Sequence, residues 1–301
     1  MKSEPINDTN YLFSNIIPYI KLMRPHHYLK NFLIFLPIIY SRRIINFYDF
    51  TLTLFGFSLF CLAASIVYIL NDIKDVDDDR CHEVKCHRPI ASGEVSIAKA
   101  YSFALFLMIF MICVDLFVTN LNIGTLVILL FYIVINIAYS SALKHRPIID
   151  VAILVMGFLL RVLYGAILID VEVSAWLYLT VMSLSFFLGL GKRRNELMKQ
   201  GNSGRKVLKY YTKDFLDKNM YMCLAITIVF YSLWCIEMSV YHGIVWTVPI
   251  VILIFMRYSL VIEGNSYGDP VDVLLGDKWL LIFVILYGLV VLFILYAPII
   301  V

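Results

Sequence analysis

Charged residues are scarce: Asp, Glu, Lys and Arg make up 16% of 301 residues, while 61% are hydrophobic, and the mean hydropathy is +0.83. A soluble domain needs more polar surface than this, so an ordinary water-soluble core is excluded and lipid becomes the expected solvent. Cysteine is sparse and scattered, at 61, 81, 86, 113, 223 and 235, which implies no disulfide framework. Cys81-His82-Glu-Val-Lys-Cys86-His87 gathers sulfur and imidazole, but the spacing matches neither a zinc ribbon nor a finger. The N-terminus lacks the basic-then-apolar build of a cleavable signal, and no lipidation motif is evident, so the first segment is expected to stay on the mature protein. A His/Asp relay for base catalysis is also missing.

Long apolar runs are abundant. They cover, approximately, 31–41 joined to a preceding amphipathic segment, then 50–70, 98–118, 122–142, 148–169, 174–191, 219–240, 242–262 and 279–299. Each crossing takes roughly 20 residues, so an all-α polytopic membrane protein of about nine transmembrane helices is expected. The first run is the weakest, because Pro18, Pro25 and Pro37 interrupt it, and 1–30 reads as a cytoplasmic and interfacial segment. Lysine and arginine stay cytoplasmic when helices insert. With the N-terminus inside, Arg42, Arg43 and Arg161 are the exceptions among 25 Lys and Arg, and the turns near Thr119, Val171 and His242 carry none. The C-terminus is then expected outside, in a cell (inner or plasma) membrane, with the long charged loops 71–97 and 192–218 facing the cytoplasm. The whole of 1–301 is expected to be one transmembrane domain, with those two loops at its active site. Their matching positions after the second and sixth spans hint at an internal duplication, although no residue-level repeat is found.

The second span ends Asn71-Asp72-Ile-Lys-Asp75-Val-Asp77-Asp78-Asp79-Arg80. On a continuing helix Asp79, seven residues after Asp72, returns to within about 20° of its direction, and with Asp75 beside them the three form a carboxylate stripe. Such a stripe repels itself and wants a compensating cation. An oxygen-only donor set favours Mg²⁺ over zinc, with one or two carboxylates as ligands and phosphate oxygens and water completing the shell. The bland alternative is a solvated acidic loop. Against it, the cluster starts at a membrane boundary, and Lys85, Arg88 and Pro89-Ile-Ala-Ser-Gly93 follow with cations and a tight turn.

Asn71-Asp72-x-x-Asp75-x-x-x-Asp79 followed by Arg88-Pro-Ile-Ala-Ser-Gly93 resembles the first signature of the UbiA superfamily of intramembrane prenyltransferases. Arg24-Pro-His-His-Tyr-Leu-Lys30-Asn31 is similar to that family's opening segment. Aromatic prenyltransferases of the superfamily carry a second aspartate-rich motif after the sixth span. Here Gly191-Lys192-Arg193-Arg194-Asn195-Glu196 stands instead, basic where that branch is acidic. A sugar donor with a second phosphate and a lipid phosphate acceptor together present more anionic groups than an allylic diphosphate, and extra cations suit that load. The Gly-Lys-Arg-x-x-Glu segment resembles the decaprenyl-phosphate phosphoribosyltransferase branch. So do Tyr139-Ser140-x-x-Leu-Lys144-x-x-Pro147-x-x-Asp150, Gly157-Phe-Leu-Leu-Arg161 and Gly268-Asp269-Pro270-Val-Asp272.

The resemblance implies a UbiA-like bundle and Mg²⁺-dependent transfer of 5-phosphoribose from phosphoribosyl pyrophosphate to a polyprenyl phosphate. Asp72, Asp75 and Asp79 are then the catalytic metal ligands. Asn71, Lys85, Arg88, Tyr139, Ser140, Lys192, Arg193 and Glu196 are the expected substrate contacts, and Lys30, Lys144 and Arg161 are the candidates for the lipid phosphate. Arg161 adds a physical argument, because an arginine deep in a span is expensive and ordinarily faces a polar cavity. Asp150 lies on nearly the same helix face, roughly 16 Å away along the axis, so the two are expected to line one wall without pairing. An arginine that snorkels or bonds the backbone of a neighbouring helix is the plainer alternative. Two rival functions stay open: prenyl transfer to an aromatic acceptor, and a transporter with an intramembrane ion site. No nucleic-acid partner is expected, and homo-oligomeric assembly is left open.

Overall fold

The computed structural model describes residues 8–200, 205–238, 243–264 and 268–300. The expected outer turn at His242, and 201–204 of the second charged loop, lie outside the described residues. Among the described residues every regular element is helical. Among these described residues eight helices are long and apolar enough to cross a membrane.

The first of the expected spans, the one that prolines interrupt, is built from three short pieces. Helix α1 (Asp8–Met23) is followed by a 3₁₀ stretch, Pro25–Phe35, and by the five-residue α2 (Leu36–Tyr40). Arg24 takes a left-handed φ of 53° between the first two pieces, and the following Pro25 cannot donate the hydrogen bond that would carry an α-helix onward. Helix α3 (Phe47–Lys74) is the first regular span and leads into the short α4 (Val76–Arg80).

The chain separates into two compact units: 1–32 with 54–140, and 33–53 with 141–301. In the first, α5 (Ile97–Val118) and α6 (Ile123–Ser141) form a hairpin. Ser96 caps α5 by accepting from the Lys99 N–H. Inside this hairpin the fully buried Asp115 accepts from the Thr125 hydroxyl at 3.1 Å. Apolar side chains gain little from burial against lipid, so such polar links and close packing hold membrane helices together.

The second unit contains α7 (Ile149–Leu168), α8 (Ala175–Gln200), α9 (Lys213–Glu237), α10 (Val248–Glu263), α11 (Pro270–Gly276) and α12 (Lys278–Ile300). Helices α8 and α9 share the most extensive packing. Phe187, Trp234 and Tyr231 lie in its core, and Thr227 of α9 donates to Ser183 of α8 at 2.9 Å. Ser185 and Asn136 bond instead to carbonyls of their own helices. Gly165 lets α7 approach the backbone near residue 34, since a Cβ there would lie 2.1 Å from the Ile34 carbonyl oxygen. Helix α8 runs on to Gln200, so Lys192, Arg193 and Glu196 stand on a helix where a loop from residue 192 was expected.

Candidate active site

Helix α3 carries no charge from Phe50 to Leu70 and then turns acidic. Its hydrogen-bond ladder survives the break at Asp75: the Asp75 N–H donates to the Asn71 carbonyl at 2.9 Å, and the Asp79 N–H to the Asp75 carbonyl at 2.8 Å. Asp72 and Asp79 are therefore held on one side, 3% and 2% exposed, while Asp77 and Asp78 point to solvent. The half-buried Asp75 sits at the joint, as the N-terminal flank of α4.

Two arginines answer the buried charge. Arg88 donates through one nitrogen to Asp72 Oδ1 at 3.1 Å and to Asp79 Oδ2 at 2.6 Å. Arg24 donates to the same Asp72 oxygen, and its guanidinium lies over the Tyr68 ring, 5.2 Å from the centroid. Arg88 is placed by the turn after it: the Ser92 N–H returns to the Arg88 carbonyl at 2.8 Å, and Gly93 adopts φ 85°. Beside the cluster Ser140 bonds Asn71, and Lys74 donates to the Ser140 carbonyl at 2.8 Å. The structure thus gathers Asn71, Asp72, Asp79, Arg88 and Ser140 in the first unit. Lys85 is exposed on a short 3₁₀ turn, whereas Lys30 and Tyr139 are half-buried.

Among the described residues no three His, Cys, Asp or Glu side chains converge closely enough to enclose a metal by themselves. Two buried carboxylates joined through one guanidinium nitrogen fit a cation of the Mg²⁺ type, which takes one or two carboxylates and leaves its other positions to water and phosphate. They would not satisfy zinc, for which nitrogen and sulfur donors are usual.

The second unit carries a separate buried ion network. Arg193, 1% exposed, donates to Asp150 at 2.5 Å and to Glu196 at 2.6 Å. The Tyr211 hydroxyl donates to the other Asp150 oxygen at 2.6 Å. Burial, and then this bond to a carboxylate, push the Tyr211 phenol above its ordinary range. Arg194 pairs with Asp217 at 2.7 Å, and Lys192 with Asp269 at 2.9 Å. Gly268, at φ 79°, lets its loop close on α8, where a Cβ would come within 3.1 Å of the Lys192 Cα. Lys192 keeps 26% of its side chain exposed, so of the basic run it is the residue best placed to meet a ligand.

Asp150 therefore has its own partners on α8 and at Tyr211. Arg161 is 5% exposed and donates to the Gly157 carbonyl one turn back on its own helix at 2.6 Å. Lys144, half-buried, lies on the short connection between α6 and α7.

Residues 33–269 match the model of the UbiA prenyltransferase family. This chain belongs to the UbiA prenyltransferase family. Among relatives of this UbiA chain, the decaprenyl-phosphate phosphoribosyltransferase of Mycolicibacterium smegmatis is 31% identical over 278 residues, covering 86% of each chain. The enzyme of the same name from Corynebacterium glutamicum is 31% identical over 270 residues, covering 86% of this chain and 81% of its own. A UbiA homolog from Archaeoglobus fulgidus, solved bound to GPP and Mg²⁺, superposes with a TM-score of 0.67 at 20% identity, over 94% of this chain and all of that one. The chain is accordingly a multi-pass membrane enzyme of the transferase class, most like the phosphoribosyltransferase branch.

Arg24 belonged to the opening motif but not to the expected site residues. Tyr211, Asp217 and Asp269 were not singled out for the site either. For Asp269 the signal was the Gly268-Asp269-Pro270 turn, whereas Tyr211 and Asp217 stand in no motif.

Proposed function

We propose that this enzyme transfers 5-phosphoribose from phosphoribosyl pyrophosphate to a polyprenyl phosphate, giving polyprenyl-phosphoryl-5-phosphoribose and pyrophosphate. The observation that carries the reading is the pair of buried carboxylates, Asp72 and Asp79, bridged by Arg88 at the polar end of α3. The name shared by relatives that match most of the chain supports it. Asp72 and Asp79, with Asp75, would hold Mg²⁺, which neutralises a pyrophosphate leaving group when bound.

Arg24 and Arg88 already point donors at this cluster and can turn them to non-bridging phosphate oxygens. The C1–O bond to pyrophosphate breaks with its electron pair leaving on the pyrophosphate, and a lipid phosphate oxygen bonds to C1. That oxygen is ionised at neutral pH, so no strong general base is required. Lys192 is assigned to substrate phosphate, and Arg193 and Glu196 to holding α8 in register beneath it. We assign the cluster to the cytoplasmic side of the cell membrane, a reading supported by the basic residues of the charged loops.

Purified protein offered phosphoribosyl pyrophosphate with polyprenyl phosphate should release pyrophosphate and form the lipid-linked sugar phosphate. Turnover confined to polyprenyl diphosphate with 4-hydroxybenzoate would overturn the proposal in favour of prenyl transfer.

A further inference from the structure

Between α6 and α7 the chain passes through Ala142-Leu-Lys144-His-Arg146-Pro-Ile148. Ile148 adopts φ 70° and ψ −47°, a backbone region that a β-branched residue enters only when its surroundings enforce it. Its side chain is 61% exposed, so packing does not enforce it. Backbone bonds from Val151 and Ala152 fix its carbonyl at the start of α7, and one side chain fixes its amide: the Ile148 N–H donates to the Tyr211 hydroxyl at 2.6 Å. That hydroxyl in turn donates a hydrogen bond to Asp150 at 2.6 Å, and Asp150 is fixed by Arg193 at 2.5 Å. The strain at Ile148 is thus stabilised by a buried chain of three side chains from α7, α8 and the 3₁₀ turn Lys206–Tyr210 with its flank.

We propose that Tyr211 is a positioning residue, which through Ile148 sets the conformation of the basic 142–148 connection so that it presents Lys144 and Arg146 to the phosphate of the lipid acceptor. The inference rests on the proposed phosphoribosyl transfer. The connection joins two membrane-spanning helices through only a few residues, so it stays at the membrane rim. A phosphate whose tail remains in the bilayer must sit at that depth, whereas a soluble sugar diphosphate need not. Backbone strain at an exposed residue next to two cations has no evident value for stability alone, and it accords with pre-organisation of a binding loop.

Tyr211→Phe removes both the donor and the acceptor of the relay while keeping the ring. The expected result is an approximately ten-fold rise in KM for polyprenyl phosphate, the scale of one lost hydrogen bond. KM for phosphoribosyl pyrophosphate and kcat should stay within about two-fold. Adding Ile148→Gly should recover most of the loss, because glycine holds a positive φ without the tie. Ile148→Pro serves where Tyr211→Phe does not fold: it deletes the N–H and forbids the positive φ at an exposed helix start, and should raise the same KM. An unchanged acceptor KM, an equal rise for the donor, or no recovery with Ile148→Gly would overturn the assignment. Direct binding of polyprenyl phosphate, measured without the sugar donor, separates the two claims. Binding weakened by Tyr211→Phe in a protein that never turns over phosphoribosyl pyrophosphate would count against the proposed reaction and for the positioning role.

Discussion

Asp72 and Asp79 are almost wholly buried and share Arg88, whereas Asp77, two residues from Asp79, has a side chain 91% exposed. That difference makes the acidic run its own control. Asp72→Asn and Asp79→Asn should each lower kcat by roughly 100-fold or more, the scale of losing a preorganised electrostatic contact to a leaving group. Asp77→Asn should stay within about two-fold, checked by pyrophosphate release from detergent-purified variants of matched melting temperature. The carboxylate stripe was legible because its members are local, repeating with the helix, and because Arg88 follows within the same loop. The partners of Asp150 were not. Tyr211 lies 61 positions away and Arg193 lies 43 away, and no periodicity in the intervening sequence links them. The bond from Arg161 to the Gly157 carbonyl was out of reach for a related reason: an accepting backbone carbonyl has no sequence signature.

At the scale of elements, hydropathy gave the eight regular spans nearly as they fold, because length and apolarity decide which helices can cross a bilayer. It did not give the N-terminal segment, where local backbone chemistry at Arg24 and Pro25 outweighs apolar content and replaces one long helix with an α, a 3₁₀ and a second α piece. At Ile34 the backbone comes close to α7, for which Gly165 leaves room. Gly165→Ala would force its Cβ toward the Ile34 carbonyl, 2.1 Å from its ideal position. The backbone cannot yield as a side-chain tip can, so a loss of about 1–3 kcal/mol is expected. A lowered melting temperature in detergent would register it, while an unchanged one would mean that the two segments part easily. Helix α8 shows the converse: its basic end looked like a loop by composition, yet Asp150, Glu196 and Asp217 neutralise the cations and let the helix continue to Gln200.

For the whole molecule, the distribution of Lys and Arg argues that the acidic cluster faces the cytoplasm. Cys81 is exposed just beyond that cluster and is a native probe of sidedness. A membrane-impermeant thiol reagent should label Cys81 in inside-out vesicles and leave it untouched in intact cells; the reverse pattern would invert the topology. Cys113 is also exposed but lies within the apolar span α5, so it should escape the reagent from either side. With the cluster inside, a soluble sugar diphosphate and the head of a membrane lipid can meet at one depth while the lipid tail never leaves the bilayer. The most direct test of that account is pyrophosphate release by the purified enzyme given phosphoribosyl pyrophosphate and decaprenyl phosphate, with and without a chelator. Release should require both substrates, stop on chelation and return with added Mg²⁺; release that continues undiminished in excess chelator would contradict the account.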